Sequence, residues 1–122
     1  VMFDIHPNFV SKVKAFNAHF KEKIDEYDEL LTGNVIFQNR MKGVGILSKE
    51  DAISFGCSGP TARASGVSCD IRKLYPYEVY DKVSFKECLA TDGDSMARYL
   101  VRLEEMKESM RIIDQLIDNI PE

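Results

Sequence analysis

Two stretches of the chain place apolar residues with helical period, one near each end. Over residues 7–31, Phe9, Val10, Val13, Phe16, Phe20, Ile24, Tyr27, Leu30 and Leu31 recur at steps of three and four. That spacing predicts a helix with one apolar stripe. Pro7 suits the first turn, where its missing N–H would be unbonded anyway. Thr32-Gly33-Asn34 ends the pattern, with Gly33 expected in a left-handed cap. Over residues 94–120, Met96, Leu100, Leu103, Met106, Met110, Ile113, Leu116, Ile117 and Ile120 predict a second long helix. Asp92, Asp94 and Ser95 can cap its free N–H groups. Glu104 with Lys107, and Glu108 with Arg111, are three apart and expected to pair on its wet face. Pro121 is expected to stop it. Two long helices with one apolar face each most simply pack antiparallel.

Residues 33–93 carry no sustained period and read as an irregular excursion between the helices. Residues 44–47 and 79–85 predict brief extended pieces. Ser48-Lys49-Glu50-Asp51 resembles a capping box and predicts a short helix ending at Phe55-Gly56. Gly56, Gly59, Pro60, Gly66 and Pro76 punctuate the rest. Irregular segments this long are uncommon in a self-contained domain. The expectation is a mainly α fold whose excursion packs over the helix pair and against further chain. The start at Val1 rather than Met fits a segment cut from a longer protein.

Composition narrows the function classes. Of the 122 residues, 44% are hydrophobic and 30% charged, which suits a folded domain rather than a disordered tail. The longest apolar runs are a few residues, such as Val35-Ile36-Phe37, against about 20 for a membrane-spanning helix. A net charge of −4, with basic residues interleaved among acidic ones, argues against sequence-independent nucleic-acid binding. Cys57, Cys69 and Cys88 form no C-x-x-C pair, so reduced thiols are expected rather than a disulfide framework or closed zinc site.

Local motifs fail on their spacing. Asp92-Gly93-Asp94 would open a calcium loop, but its sixth and twelfth positions hold Ala97 and Leu103 where Gly and Glu are needed. Gly43-Val44-Gly45 lacks the third glycine of a dinucleotide fingerprint, since Ser48 stands there. Gly56-Cys57-Ser58-Gly59-Pro60 misses the nucleophile elbow at Pro60. His6 and His19 have no partner at metal-ligand spacing. No catalytic, cofactor-binding or metal-ligating residue is assigned. Arg63, Asp70, Arg72 and Lys73 lie in the excursion beside Tyr75, Tyr77 and Tyr80. Arginine with tyrosine is the composition of an interface core. The same residues would equally serve as internal braces. Arg63, Asp70, Arg72, Tyr75 and Tyr77 are therefore the candidate bracing or subunit-interface residues.

Several stretches, taken in order and spacing, carry a family resemblance. They are GVGILSKEDA (43–52), SGPTARASGV (58–67), DIRK (70–73), PYEVYD (76–81), Gly93-Asp94 and RYLVRLEEM (98–106). DIHPNF (4–9) and DEYDELLTGN (25–34) extend the likeness to the first helix. Together they resemble the D-type subunit family, or its fused C/D form, of the proton-pumping NADH–quinone oxidoreductase, respiratory complex I. The resemblance implies a central fragment of a larger subunit that shares its fold with [NiFe] hydrogenase large subunits. It implies a peripheral place on the cytoplasmic side of the membrane, next to the neighbour that carries the terminal iron–sulfur cluster. The parent complex would use NADH, FMN, iron–sulfur clusters and quinone, with none of these held by this segment. The family's quinone-contacting His and Tyr precede the matched region, so they do not map onto His6 or His19. Cys69 departs from the family, which usually has a bulky or charged residue there. A segment of an energy-converting membrane-bound [NiFe] hydrogenase and a free-standing helical interaction module stay open as alternatives.

Overall fold

The computed structural model describes residues 5–120. Helix α1 spans Phe9–Tyr27 and runs on through one π-helical turn, Asp28–Thr32. Four short helices follow: α2 (Val35–Met41), α3 (Lys49–Ser54), α4 (Gly59–Ala64) and α5 (Ile71–Leu74). A 3₁₀ turn, Tyr80–Lys82, precedes the long α6 (Ser95–Leu116), which closes in a second 3₁₀ turn, Ile117–Asn119. No strand occurs among the described residues. The mainly helical class stands.

Helices α1 and α6 are antiparallel, as their cross-links show. Tyr99 on α6 bonds through its hydroxyl to Thr32 at the end of α1. Asn17 and Lys21 meet Asp114, and Lys14 meets Asp118. The interface core is Ile24 against Leu103 and Met110, flanked by Phe20 and Met106. A second small core lies on another side of α6, where Ala64 meets Ala97 and Val101, with Cys88 and Ala90 packed on it. Alanine there lets the α4 backbone come close to α6.

Caps explain several boundaries. Ser48 Oγ accepts the Asp51 N–H at 3.0 Å and starts α3, as the capping box predicts. That helix ends at Phe55, with Gly56 left-handed at φ 64. Asp94 accepts the Ala97 N–H at 2.7 Å and starts α6.

Other expectations are corrected. Pro7 precedes α1 instead of opening it, because the helix begins at Phe9 after Asn8. Gly33 is right-handed, at φ −73. The π-helical turn absorbs the helix end, and Asn34 then starts α2 by accepting the Ile36 and Phe37 N–H groups. The apolar stripe of α1 is only partly covered: Phe9, Phe16, Tyr27, Leu30 and Leu31 are exposed. A single partner helix cannot cover a stripe this wide. Residues 44–47 form no strand. Gly45 is left-handed, and the segment bonds one group at a time, Leu47 N–H to Gly93 and Ser95 N–H to Val44. Residues 79–85 do not form one extended piece either, although Val83 is extended. The 3₁₀ turn interrupts them, and Ser84 exchanges both its backbone bonds with the Gln115 side chain. The excursion thus carries four short helices and a 3₁₀ turn, with irregular chain over the rest. The expected stop at Pro121 lies outside the described residues.

Candidate functional site

Helix α6 presents two inward faces. One holds Leu103 and Met110 against α1. The other carries Ala97, Val101, Glu105, Glu108 and Ile112, at helical spacing, toward the excursion. Two carboxylates therefore lie on an otherwise apolar face, and each has a task. Glu105 receives Arg63 from the last turn of α4: Nε and Nη2 both lie 2.6 Å from Oε1. Both side chains are mostly covered, at 14% and 23% exposure, so removing either would strand a largely desolvated charge. Glu108 accepts the Lys86 backbone N–H at 2.9 Å and pairs with Arg111 at 2.5 Å. The predicted pairing of Glu108 with Arg111 is present, but Glu108 is buried rather than on the wet face. It satisfies the Lys86 N–H of the segment that returns to α6.

Asp70 opens α5. Its carboxylate accepts the Arg72 N–H and also receives the Arg72 fork, Nε to Oδ1 at 2.9 Å and Nη2 to Oδ2 at 2.7 Å. One residue thus caps the helix and forms a bidentate pair within three positions. The Arg72 hydrogen bonds hold the Asp70 carboxyl below the usual carboxylate range, against the opposing effect of burial. The same pair raises Arg72 above its ordinary value. The guanidinium plane lies over Phe85, 4.6 Å from the ring centroid, and reaches Tyr80 at 5.6 Å. Tyr80 in turn packs edge-on to Phe85 and to Tyr77.

Arg63, Asp70, Arg72 and Tyr77 line one cavity of about 490 Å³ between α4, α5 and α6. Tyr75 does not join them; it is 75% exposed. Cys69 and Cys88 also line the cavity, and neither is in a disulfide. Burial, followed by the nearby Glu108 and Glu105 charges, pushes the Cys88 thiol up, which makes it a weaker nucleophile. His6 accepts the Asn8 N–H through Nδ1, and His19 is exposed on α1. Sequence reading missed Glu105 and Phe85, and placed Glu108 on the wrong face of α6. The signal for the two glutamates was their registration with Val101 and Ile112 on one face of α6. Phe85 carried none, because only the turn at Tyr80–Lys82 brings it under Arg72.

A clamp fixes this assembly to the start of α6. Asp94 also accepts the Gly43 N–H at 2.7 Å. Arg98 donates to the carbonyls of Gly93 (2.7 Å) and Gly45 (2.9 Å). Ser65 Oγ donates to Leu47 O at 2.8 Å, and Gly93 N–H bonds Ala64 O at 3.0 Å. Burial pushes the Asp94 carboxyl up, but the Ala97 and Gly43 N–H groups outweigh it and the result is a lowered value. No group of three or more metal-ligating side chains occurs among the described residues. No helix among them is long and apolar enough to cross a membrane. The carboxylates and guanidinium groups around the cavity are paired with one another, so the arrangement is built to hold shape.

Comparison with known proteins extends this geometry. The sequence model of the family described as "Respiratory-chain NADH dehydrogenase, 49 Kd subunit" matches residues 1–122. The fused C/D subunit of the NADH-quinone oxidoreductase of Bacteroides thetaiotaomicron is 62% identical over all 122 residues, which are 23% of that protein. The D-type subunit of the Leptospira biflexa NADH-quinone oxidoreductase is 50% identical over 119 residues, 98% of this chain and 29% of that one. The H-type subunit of the NAD(P)H-quinone oxidoreductase of Thermosynechococcus vestitus is 47% identical over 99% of this chain and 31% of its own. A solved structure, the membrane-bound sulfane sulfur reductase described as an archaeal respiratory membrane complex, superposes with a TM-score of 0.88. It is 34% identical and covers 95% of this chain and 31% of its own. The chain spans about a quarter to a third of the length of these relatives.

Proposed function

The chain belongs to the 49 kDa subunit family of respiratory-chain NADH dehydrogenase, and from that premise we propose that it is a structural segment of the quinone-reducing subunit of a proton-pumping NADH–quinone oxidoreductase. The whole complex passes electrons from NADH to quinone. This segment supplies no reacting group and supports those that do. The observation that carries the reading is 62% identity to a fused C/D subunit over every residue of the chain. In the parent complex, FMN, NADH, iron–sulfur clusters and quinone are held elsewhere. The parent subunit sits peripherally on the cytoplasmic side of the membrane and meets the neighbour with the terminal iron–sulfur cluster. Within the segment, Arg63, Asp70 and Arg72 brace the excursion, and Tyr75 and Tyr77 supply side chains to a subunit interface. Their geometry supports that division. The three charged residues are internally paired, while Tyr75 is exposed and Tyr77 half exposed.

The test is a transplant. This chain replaces the corresponding residues of the Bacteroides thetaiotaomicron C/D protein, and membranes are assayed for NADH-dependent quinone reduction. Restored activity supports the reading; a stably assembled but inactive complex overturns the supporting role. Arg72→Glu in the transplant should impair assembly. Unchanged assembly and activity would remove Arg72 from the brace.

A second reading is favoured by the likeness to the sulfane sulfur reductase complex, because that framework occurs outside NADH oxidation. Here the segment would belong to an energy-converting membrane-bound [NiFe] hydrogenase large subunit. Cysteine pairs near both ends of the full reading frame decide for the hydrogenase, and their absence decides for the quinone enzyme.

A further inference from the structure

Asp92–Gly93 is the one Asp-Gly step in the chain, and no Asn-Gly step occurs. An Asp-Gly step is chemically labile. The glycine nitrogen attacks the aspartate carboxyl carbon, water leaves, and a cyclic succinimide forms. Water then opens the ring at either carbonyl. One opening restores aspartate; the other gives isoaspartate, whose main chain runs through the side-chain carbons. Glycine speeds the attack because no side chain shields its nitrogen. The fold meets one requirement of this reaction and withholds the other. Asp92 is exposed, and no ion pair holds its carboxylate among the described residues. Gly93 is buried, and its N–H donates to Ala64 O at 3.0 Å. Its carbonyl accepts the Leu47 N–H at 2.9 Å and Arg98 Nη1 at 2.7 Å. Its nitrogen reaches the Asp92 carboxyl only after leaving Ala64 and turning the peptide plane. The next step, Asp94–Ser95, is held on both sides. The Asp94 carboxylate accepts the Ala97 and Gly43 N–H groups, and the Ser95 N–H bonds Val44 O at 2.9 Å.

We propose that Asp92 is a modification site gated by the clamp at the start of α6: it isomerises to isoaspartate in molecules whose clamp has opened, and not in closed ones. Ring closure is slow beside local opening. The folded-state rate is therefore the unfolded-chain rate multiplied by the open fraction. Reclosing does not undo the product. Isoaspartate adds one carbon to the main chain between residues 92 and 93, while Gly93 has to meet Leu47, Ala64 and Arg98 together. The lengthened chain cannot satisfy all three, so the lesion leaves the clamp loosened. Substitution at 93 offers no escape, because that residue is left-handed and pressed against the Leu47 backbone. The enzyme class that recognises the product is a carboxyl methyltransferase using S-adenosylmethionine. Every contact of the gate lies within the chain, so it operates whichever complex the parent subunit joins.

The experiment holds the full-length subunit, in its complex, for several weeks at neutral pH, beside the same protein unfolded in guanidinium. Both are digested. Isoaspartate at position 92 is measured by enzymatic methyl transfer from S-adenosylmethionine and by chromatographic separation of the isomeric peptides with mass spectrometry. The expected folded-state rate is below the unfolded rate by about tenfold or more. Arg98→Ala removes the guanidinium bond to Gly93 O, and Ser65→Ala removes the hydroxyl bond to Leu47 O. Each should raise the folded-state rate severalfold and leave the unfolded rate unchanged. Asp92→Glu should abolish the signal, since the larger ring closes far more slowly. If Arg98→Ala does not assemble, Ser65→Ala carries the comparison. Equal rates in the folded and unfolded protein would overturn the gate. So would a folded-state rate that no assembled variant changes, and the absence of isoaspartate from the unfolded chain would remove the site itself.

Discussion

The carbonyl oxygen of Leu47 stands where a side chain at position 93 would begin: a Cβ built on Gly93 would lie 2.1 Å from it. The two residues are also bonded, Leu47 N–H to Gly93 O at 2.9 Å, and Gly93 is left-handed at φ 63. Gly93→Ala must therefore separate the loop from the start of α6 as well as adopt a strained backbone. A loss of about 3 kcal/mol or more is expected. Gly43 is a matched control, with φ 68 but no atom within 4 Å of its would-be Cβ. Gly43→Ala should cost only about 1–2 kcal/mol, the left-handed penalty alone. Urea unfolding of the full-length subunit, with both variants keeping the wild-type slope, reads the difference.

Acid should loosen this segment in a defined window. Asp70, Asp94 and Asp114 all have lowered carboxyl values in the folded chain. A group lowered by folding binds its proton more readily when unfolded. Its contribution is present above the unfolded value of about 3.9 and lost as pH falls through the lower folded value. Unfolding midpoints should therefore drop below about pH 4 through these three groups. Asp70→Asn should flatten part of that drop, because the Arg72 fork no longer faces a charge that can be neutralised. A pH series of denaturation midpoints for the two proteins checks this, and identical acid limbs would contradict it.

Asn17 and Asp114 form the polar spot in the α1–α6 seam. Asn17 Nδ2 donates to Asp114 Oδ1 at 2.9 Å, while the buried Asn17 Oδ1 has no partner. Asp114→Ala strands the whole buried amide and should cost about 2 kcal/mol. Lys21 also meets Asp114, but both are well exposed, so Lys21→Ala should cost under about 1 kcal/mol. Asp114→Asn keeps an acceptor for Asn17 and should fall between them. Thermal midpoints of the three variants order the effects.

Glu78 is the one non-glycine residue with positive φ among the described residues, at φ 52, on the exposed turn between Tyr77 and the 3₁₀ turn. Glycine takes that conformation without strain, so Glu78→Gly should stabilise the subunit or leave it unchanged, within about 1 kcal/mol. Destabilisation beyond that would mean Glu78 makes a contact that the strained backbone serves.

Signals confined to a few neighbouring residues were legible in the sequence. Ser48 and Asp94 cap as their spacing implies, and Asp70 with Arg72 lies within one short helix. The two long helices and their antiparallel pairing followed from periodicity alone. Partners far apart in sequence were not legible. Arg63 and Glu105 are 42 residues apart, and nothing in either local pattern names the other. The extended pieces failed for a related reason. Valine and isoleucine at 44–47 favour a strand, but Gly45 and the competing bonds from Arg98 turn the backbone aside. Glu108 looked wet because its charge was weighed without the company of Val101 and Ile112 on the same face.

The clamp at the start of α6 also has a mechanical consequence. Segment 43–47 and the turn before α6 hang from the start of that helix through Asp94, Ser95 and Arg98, and the end of α4 joins them through the Gly93 N–H bond to Ala64 O. The helix beyond is 22 residues long, a rod of about 33 Å. The same rod is tied at Glu105, Glu108 and Gln115 to the excursion and at Asp114 to α1, so it serves as the common beam to which both halves of the chain are fastened.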